Sequence, residues 1–316
     1  MISESGSADG AALFFCYPAG MQRFCFLLGS ISILLVGQSS NPNELARRPV
    51  PEGAKKIAYG EGAVQFGELR IPEGKGPHPV VVIVHGGCWV AKLGDLPSGA
   101  ISLDALRPMA AELAGRGIAS WNLEYRRLGH EGGGWPGSFT DVGSGTDYLR
   151  KLVKVHALDL NRVVVVGHSA GGHFALWLAG RGRLRQDSEL FTKDPLKFRG
   201  VINLDGPGDL KAAVPLGEPI CGSPVITQLL GGTPAEKPER YRDGSPAELL
   251  PFGIPQEHFI GRMFASLAPA FDVAGKKSGD QVHSTIDPEG GHFGWIDPKS
   301  DKWPAVLAAI ERLLGR

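Results

Sequence analysis

Short runs of β-branched residues, each followed by a helix-like stretch, constrain the fold of this chain most. Four such runs lie at 80–84, 118–123, 163–166 and 201–204. They do not alternate strictly with polar residues, which is typical of strands buried on both faces of a parallel sheet. Because these runs alternate with helical patterns, we predict an α/β fold, a mostly parallel sheet with helices on both faces.

The remaining elements follow from the same patterns. Regular structure is interrupted only between residues 206 and 255, a segment rich in proline and glycine that we interpret as a small cap insertion. Residues 41–316 are therefore expected to form a single domain with its cap insertion at about 206–255. We predict helices at 102–116, 140–156, 171–180, 264–276 and 303–314, and further strands at 257–260 and 281–286.

The amino-terminal segment has the layout of a secretory signal. Read from Met21, a short basic start at Arg23 precedes an apolar run at 24–36 and then small polar residues. The run is too short to span a bilayer, which needs roughly 20 residues, so no stable membrane span is predicted. We therefore expect residues 1–40 to be an extension with a signal peptide at 21–40, and the protein to be secreted or periplasmic. If the segment is retained as a packed helix, a cytoplasmic protein is expected instead.

Removal of this segment would leave two of the four cysteines. Cys16 and Cys25 would be lost, and Cys88 and Cys221 would remain. In an oxidising compartment these two can pair and tie two loops together. The alternative is that they are two separate small hydrophobic side chains. Their spacing does not decide between these possibilities.

The balance of charges excludes one class of partner. The chain has 33 Lys and Arg residues against 33 Asp and Glu residues, so its formal net charge is zero. A nucleic-acid-binding protein needs a basic face that displaces phosphate counterions, so we expect no nucleic-acid partner. The hydrophobic content of 42% also excludes a disordered chain.

A serine lies between the predicted strand at 163–166 and the predicted helix at 171–180. The sequence there is Gly167-His168-Ser169-Ala170-Gly171, which fits the G-x-S-x-G nucleophile elbow. Glycines are needed around such a serine because the tight turn leaves no room for neighbouring side chains. Ser169 is therefore the predicted nucleophile. The alternative is a structural serine in a glycine-rich turn.

A second glycine-rich motif follows the strand at 80–84. It reads His85-Gly86-Gly87-Cys88-Trp89 and matches the H-G-G type of oxyanion loop. We expect the backbone amides of this loop and of Ala170 to hold a developing oxyanion. Gly86, Gly87, Ala170 and Trp89 are thus the predicted oxyanion and substrate-binding residues. We expect His85 to orient the loop and to take no part in proton transfer.

Together these motifs resemble the α/β-hydrolase superfamily, specifically its bacterial carboxylesterase and arylformamidase-like branch. The resemblance implies an eight-stranded, mostly parallel sheet and hydrolysis by a Ser-His-acid triad without a cofactor. It extends from about residue 55 to the carboxyl terminus. The stretches that carry it are His85-Gly86-Gly87-Cys88-Trp89, residues 121–126, residues 167–172, residues 245–250 and Gly290-Gly291-His292-Phe293.

His292 is the predicted general base. It follows the final predicted strand in a Gly-Gly-His-Phe loop, where related hydrolases carry the triad histidine. His168 and His173 flank the serine in the sequence, but such adjacency creates no hydrogen bond to its hydroxyl. A zinc site formed by His168, His173 and His292 is the alternative, although no ligand-spacing motif supports it, so no metal is predicted.

The triad acid departs from the family pattern. Related proteins place an aspartate after the strand that precedes the last helix pair, where residues 259–265 of this chain contain no carboxylate. Asp205 ends the preceding predicted strand and opens onto the same edge of the sheet, so we predict that it orients His292. Asp209, Glu257 and Asp272 are the alternatives.

These observations predict a serine hydrolase that cleaves a small-molecule carboxylic ester, or an aryl amide, through an acyl-enzyme. The aromatic residues Trp89, Tyr125, Trp135 and Phe293 are expected to line the rim of its pocket. One alternative is a peptidase of the prolyl-oligopeptidase type, which shares the nucleophile elbow. The other is a ligand-binding protein without catalytic activity on a hydrolase scaffold.

Overall fold

The structure is a computed structural model that describes residues 40–316 of the chain. The predicted signal peptide at 21–40 lies, apart from its last residue, outside the described residues. Within residues 40–316, no helix is both long enough and apolar enough to cross a membrane.

A single sheet of eight strands organises the described part of the chain. Its spatial order is β1-β2-β4-β3-β5-β6-β7-β8, with β1, β2 and β4 paired antiparallel and all other neighbours parallel. The α/β-hydrolase fold predicted from the sequence is therefore confirmed. The strands are β1 (Lys55–Ala58), β2 (Phe66–Arg70), β3 (His78–Val84), β4 (Ala119–Leu123), β5 (Leu158–His168), β6 (Gly200–Leu204), β7 (Gln256–Ile260) and β8 (Val282–Ile286).

Helices cover both faces of this sheet. Short 3₁₀ helices extend several of them, notably Ser98–Ile101 and Leu103–Leu106 before α2. The α-helices are α1 (Pro42–Arg47), α2 (Arg107–Gly115), α3 (Gly137–Asp147), α4 (Leu149–Leu152), α5 (Ala170–Gly180), α6 (Leu210–Ala213), α7 (Gly217–Cys221), α8 (Val225–Leu230), α9 (Pro238–Gly244), α10 (Ala268–Ser278) and α11 (Trp303–Leu314).

The central strand β3 shows how the two faces are built. Its side chains alternate, so that Val80, Val82 and Val84 belong to one apolar core while Val81 and Ile83 belong to the other. The first core also contains buried residues of α3, α5 and the predicted cap insertion. The second is closed by α1, α2 and α11. Because both faces of β3 are buried, its sequence is a continuous apolar run.

Several predicted boundaries are corrected by the structure. The predicted helix 102–116 begins as a 3₁₀ turn, and its α-helical part starts only at Arg107, where Pro108 occupies the first turn. The predicted helix 140–156 is divided into α3 and α4. The predicted helix 264–276 starts at Ala268, next to Pro269, and ends before Gly279, which has φ 104°.

The segment 206–255, predicted as a cap insertion, contains the four short helices α6 to α9 and no strand. Its apolar side chains include Leu229, Leu230 and Tyr241, which are fully buried in the same core as α5. This segment is thus packed firmly against one face of the sheet.

The α11 helix provides a test of the second core. Ile310 is fully buried there. We expect Ile310→Ala to lower the free energy of unfolding by about 2–5 kcal/mol and Ile310→Val by about 0.5–1.5 kcal/mol, because the larger deletion leaves the larger cavity. Urea denaturation of the two variants and the parent protein measures both values. Equal losses in the two variants would contradict this account of the packing.

Candidate active site

Ser169 lies at the sharp turn between β5 and α5. Its backbone has φ 56° and ψ −121°, a conformation that non-glycine residues rarely adopt. A Cβ atom on Gly167 would lie 1.9 Å from the carbonyl oxygen of Gly171, so this turn cannot form with a side chain at position 167. The sequence thus folds locally into the predicted elbow.

Backbone hydrogen bonds hold this turn on both sides. The Ser169 amide donates to the carbonyl oxygen of Leu204 on β6 at 2.8 Å. The Ser169 carbonyl accepts from the amides of Gly172 and His173 at 2.8 and 3.2 Å. The strained serine is therefore fixed between the neighbouring strand and the helix that follows it.

Residues 85–89, which we call the glycine loop, lie beside this serine. A Cβ atom on Gly86 would be 2.9 Å from the Cβ atom of Ser169, so only glycine permits this approach. Ala170 is the first residue of α5, and the first amides of a helix have no acceptor within the helix. The glycine loop and the start of α5 therefore both lie next to Ser169.

His85 anchors the start of the glycine loop. Its Nε2 atom is 2.9 Å from Oε1 of Glu124, its ring stacks on Tyr125, and the Tyr125 hydroxyl donates to its carbonyl oxygen. Burial alone would raise the pKa of Glu124, but His85 and Arg127 lower it to about 2. The Glu124 carboxylate is therefore ionised at neutral pH, and both ring nitrogens of His85 have partners, Glu124 at Nε2 and the Gly86 carbonyl at Nδ1.

His292 pairs with Asp205. The Nδ1 atom of His292 and Oδ2 of Asp205 are 2.6 Å apart, and the carboxylate is completely buried. Asp205 directly follows β6 with φ 48°, and its amide donates to Phe259 on β7. Such a pairing fixes the tautomer of the imidazole and directs Nε2 away from the carboxylate. The structure therefore brings together the histidine and the acid that the sequence indicated.

Gly261 makes room for this acid. It directly follows β7, and a Cβ atom there would lie 2.7 Å from Oδ2 of Asp205. Since β6 and β7 are parallel neighbours, carboxylates from the ends of either strand reach the same space. The carboxylate that follows β6 thus occupies the space that a side chain after β7 would otherwise take.

The alternative acids have other partners. Asp209 accepts from the first amides of α6 and caps that helix. Glu257 pairs with Arg312 and His283. Asp272 pairs with His258. Among the hydrogen bonds of the described chain, none joins these three carboxylates to His292.

The two histidines that flank Ser169 have structural partners. His168 donates from Nε2 to the carbonyl oxygen of His292 at 3.0 Å, and burial together with the nearby His292 keeps its pKa well below the ordinary value. His173 accepts from the Trp89 indole at Nδ1 and donates from Nε2 to Gly244. Residues 40–316 contain no group of three or more side chains placed to hold a metal ion.

Ser169 and His292 line one pocket of about 270 Å³. Its walls are mainly apolar, and they come from the glycine loop, the loop and 3₁₀ helices before α2, the start of α1 and the predicted cap insertion. Sequence reasoning missed most of this wall because the pieces are distant in the chain and carry no motif. The apolar lining residues are Pro42, Leu93, Leu96, Ala100, Ile101, Ala105, Leu106, Ile220, Met263, Phe293 and Ile296.

Of the four aromatic residues predicted at the rim, only Phe293 lines this pocket. The predicted place at the rim is wrong for the other three, Trp89 among them. Trp89 and Tyr125 are buried in the core, and Trp135 packs against Phe139. Their large apolar surfaces gain more from burial in the core than they would at a solvated rim.

Cys88 and Cys221 form a disulfide, with their Cα atoms 6.0 Å apart. Their spacing in the sequence had left this pairing open. The bond connects the glycine loop to the end of α7 in the predicted cap insertion.

A sequence model of the BD-FAE family matches residues 69–252. The chain belongs to this family. The matched region includes the glycine loop, Ser169 and Asp205, whereas His292 follows it. The resemblance to carboxylesterase-like α/β-hydrolases that the sequence indicated is therefore confirmed.

Curated relatives carry esterase names. The chain is similar to a probable isoprenylcysteine alpha-carbonyl methylesterase of Oryza sativa subsp. japonica, with 30% identity over 122 residues, 38% of this chain and 27% of that protein. It is also similar to the esterase LipC of Mycobacterium tuberculosis, with 29% identity over 128 residues, 40% of this chain and 29% of that protein. The match spans less than a third of either relative.

Solved structures share the fold. A truncated form of a carbohydrate esterase from gut microbiota superposes with a TM-score of 0.67 at 17% identity, covering 84% of this chain and 98% of that one. Esterase B from Lactobacillus Rhamnosis gives the same TM-score at 20% identity, covering 84% and 88%. At such identities the likeness establishes the fold alone.

The buried His173 predicts a pH dependence of stability. Burial lowers its pKa to about 4 from an ordinary value of 6.5, although the bond to Gly244 opposes this shift. Between these values the unfolded chain binds the proton and the folded chain does not, so the free energy of unfolding falls as the pH falls from about 6.5 towards 4. The stabilisation is fully present above pH 6.5.

The matched variant is His173→Gln. Its side-chain amide can replace Nε2 as donor to Gly244, but it cannot titrate. We expect its stability to fall less steeply over this pH range than that of the parent protein, as measured by urea denaturation at a series of pH values. Parallel curves for the two proteins would show that His173 does not contribute. Because His168 is present in both proteins, its own contribution cancels.

Proposed function

We propose that this protein hydrolyses a carboxylic ester through an acyl-enzyme, with Ser169 as nucleophile, His292 as general base and Asp205 as the acid that orients the histidine. One observation carries the proposal. A histidine hydrogen-bonded at Nδ1 to a buried carboxylate lies on the wall of the same apolar pocket as a strained elbow serine. This arrangement fits the roles of a catalytic triad.

The proposed reaction has two halves. His292 accepts the proton of the Ser169 hydroxyl at Nε2 while the serine oxygen attacks the ester carbonyl, and the amides of the glycine loop and Ala170 stabilise the oxyanion. The imidazolium then gives its proton to the leaving alcohol, and the acyl group remains on Ser169. In the second half water attacks the acyl-enzyme with His292 again as base, which releases the carboxylic acid.

The pocket indicates which part of the substrate is apolar. The side chains that line it are aliphatic or aromatic apart from the proposed catalytic residues, His85, Cys88, His168 and Ser102. A pocket of this size and composition favours a short apolar acyl or alcohol group over a charged or sugar moiety. The esterase names of the curated relatives support an ester over an amide substrate.

We further propose that the protein acts outside the cytoplasm. The disulfide between Cys88 and Cys221 supports this proposal, since structural disulfides persist in oxidising compartments. The signal-like pattern at 21–40 is the second reason.

Hydrolysis of a short-chain nitrophenyl ester and of the matching anilide tests the reaction class. We expect turnover of the ester, slower or no turnover of the anilide, and loss of both activities in Ser169→Ala, because the proposed acyl-enzyme forms on the Ser169 hydroxyl. Turnover that persists in Ser169→Ala would contradict the proposed nucleophile. A folded protein without turnover of a range of esters would favour the ligand-binding alternative.

The acid is tested separately. We expect Asp205→Asn to lower kcat by about 10³- to 10⁴-fold without loss of folding, because an amide cannot hold the imidazole in the required tautomer. The matched control is Asp209→Asn, the same chemical change four residues away. Asparagine is an equally good helix cap, so kcat of the control should stay near that of the parent protein. Comparable kcat values for the two variants would remove Asp205 from the triad.

A further inference from the structure

Three consecutive residues of the glycine loop have positive φ angles. The values are 102° for Gly87, 54° for Cys88 and 57° for Trp89. Glycine adopts such angles freely, but each residue with a side chain is strained there and persists only when its surroundings hold it. The loop that should present amides to the oxyanion is therefore not held by its own backbone preferences.

Two side-chain tethers hold these strained residues, and both lead to the segment 206–255. The backbone also contributes, since the Trp89 carbonyl accepts from the Leu128 amide at 2.8 Å. Cys88 is joined by the disulfide to Cys221 at the end of α7. Trp89 donates from Nε1 to Nδ1 of His173, whose Nε2 donates in turn to Gly244. The first tether is covalent, and the second is a chain of two hydrogen bonds.

The disulfide lies against the pocket. Cys88 lines it together with Gly86 and Gly87. Ile220 of α7 directly precedes Cys221 and lines the same pocket. Cys221 itself lies 133 residues further along the chain than Cys88. The bond therefore couples the position of the predicted oxyanion amides to the wall contributed by α7.

We propose that the Cys88–Cys221 disulfide is a positioning element for catalysis, and that its reduction lowers turnover by releasing the glycine loop. The inference rests on the proposed function, because it assigns the bond to the oxyanion hole of that reaction. The bridging sulfur atoms of Cys88 and Cys221 act through the position of the loop and not on the substrate directly. Turnover of the protein is then responsive to the thiol-disulfide balance of its surroundings.

The redox step balances with an external dithiol. One thiolate of the dithiol attacks a sulfur of the bridge and forms a mixed disulfide, and its second thiol displaces the protein sulfur. The products are two protein thiols and one oxidised, cyclic dithiol. Two electrons and two protons thus pass to the protein, and an oxidised dithiol restores the bridge by the reverse steps.

The effect is expected in kcat more than in KM. Oxyanion amides act on the charge that develops in the transition state, whereas the apolar pocket binds the ground state. The tether through Trp89 and His173 remains after reduction, so the loop loosens without unfolding. Displacement of the oxyanion amides in the loosened loop is expected to lower kcat by about 10- to 100-fold.

The decisive variant is Cys221→Ala, since it removes the bridge without substituting any residue of the glycine loop and leaves Cys88 as a free thiol. It is compared with Cys88→Ala, the double variant, and the parent protein with and without dithiothreitol. Each protein is assayed with a nitrophenyl ester, and circular dichroism and thermal melting are recorded beside it. Assays are run well below the lowest melting temperature.

We expect all three variants and the reduced parent protein to lose kcat by the same factor, with KM changed by less than about threefold. The double variant should be no worse than either single variant, because all three break one bond. Dithiothreitol should not affect the variants, and reoxidation should restore the reduced parent protein. Ile310→Ala serves as the stability control, since it weakens the second core at a residue that does not line the pocket and should keep the parent kcat.

A folded Cys221→Ala protein with the parent kcat would overturn the inference. So would a loss of kcat in Ile310→Ala as large as in Cys221→Ala, because the effect would then follow stability alone. These outcomes leave the proposed function intact. If the oxidised parent protein hydrolyses no ester, the proposed function itself fails, and this inference fails with it.

Discussion

The parallel pairing of β3, β5, β6 and β7 is the constraint on which the site depends. In register, Val84 of β3 lies opposite Gly167 of β5, His168 lies opposite Leu204 of β6, and Leu204 lies opposite Phe259 of β7. Residues that directly follow these strands must therefore emerge side by side. The glycine loop, Ser169, Asp205 and Gly261 are all of this kind, although they are spread over more than half of the chain.

The same constraint explains how the proposed acid can follow β6, although related proteins place their aspartate after a later strand. The proposed role of His292 needs a buried carboxylate near Nδ1, and a residue after β6 can reach that position just as a residue after β7 can. This placement strains the backbone of Asp205, which adopts φ 48°, and it leaves no room for a side chain at position 261. The buried Oδ1 atom of Asp205 has no hydrogen-bond partner in the described part of the chain, so the hydrogen bond between Oδ2 and His292 is the main compensation for burying this carboxylate.

Strain recurs at each part of this site. Ser169, Asp205, Cys88 and Trp89 are the non-glycine residues with positive φ within residues 40–316, and all of them lie at or beside the converging strand ends. Ser169 is held by a carbonyl of β6 and Asp205 by a carbonyl of β7. Cys88 is held by the disulfide, and Trp89 by the buried His173. The rigidity of the site thus comes from the surrounding fold and not from local backbone preference.

Much of this could be predicted from the sequence because the signals are local. Apolar runs predicted the central strands, and the glycines around Ser169 and after β3 predicted turns that no other residue permits. Helix boundaries were less accurate, since 3₁₀ turns and prolines shift them by a few residues. The placement of Trp89 was wrong because adjacency to a functional motif does not determine whether a side chain faces a pocket or the core.

The sequence by itself therefore determined the fold class, the elbow serine, the glycine loop and a short set of candidate acids, each of which depends on neighbouring residues in the chain. The tertiary structure alone decided that Asp205 contacts His292, that Cys88 is bonded to Cys221, and which side chains line the pocket. The physical reason is that these contacts join residues 87 and 133 positions apart, or elements from both ends of the described chain. Only the register of the sheet and the packing of its helices bring them together.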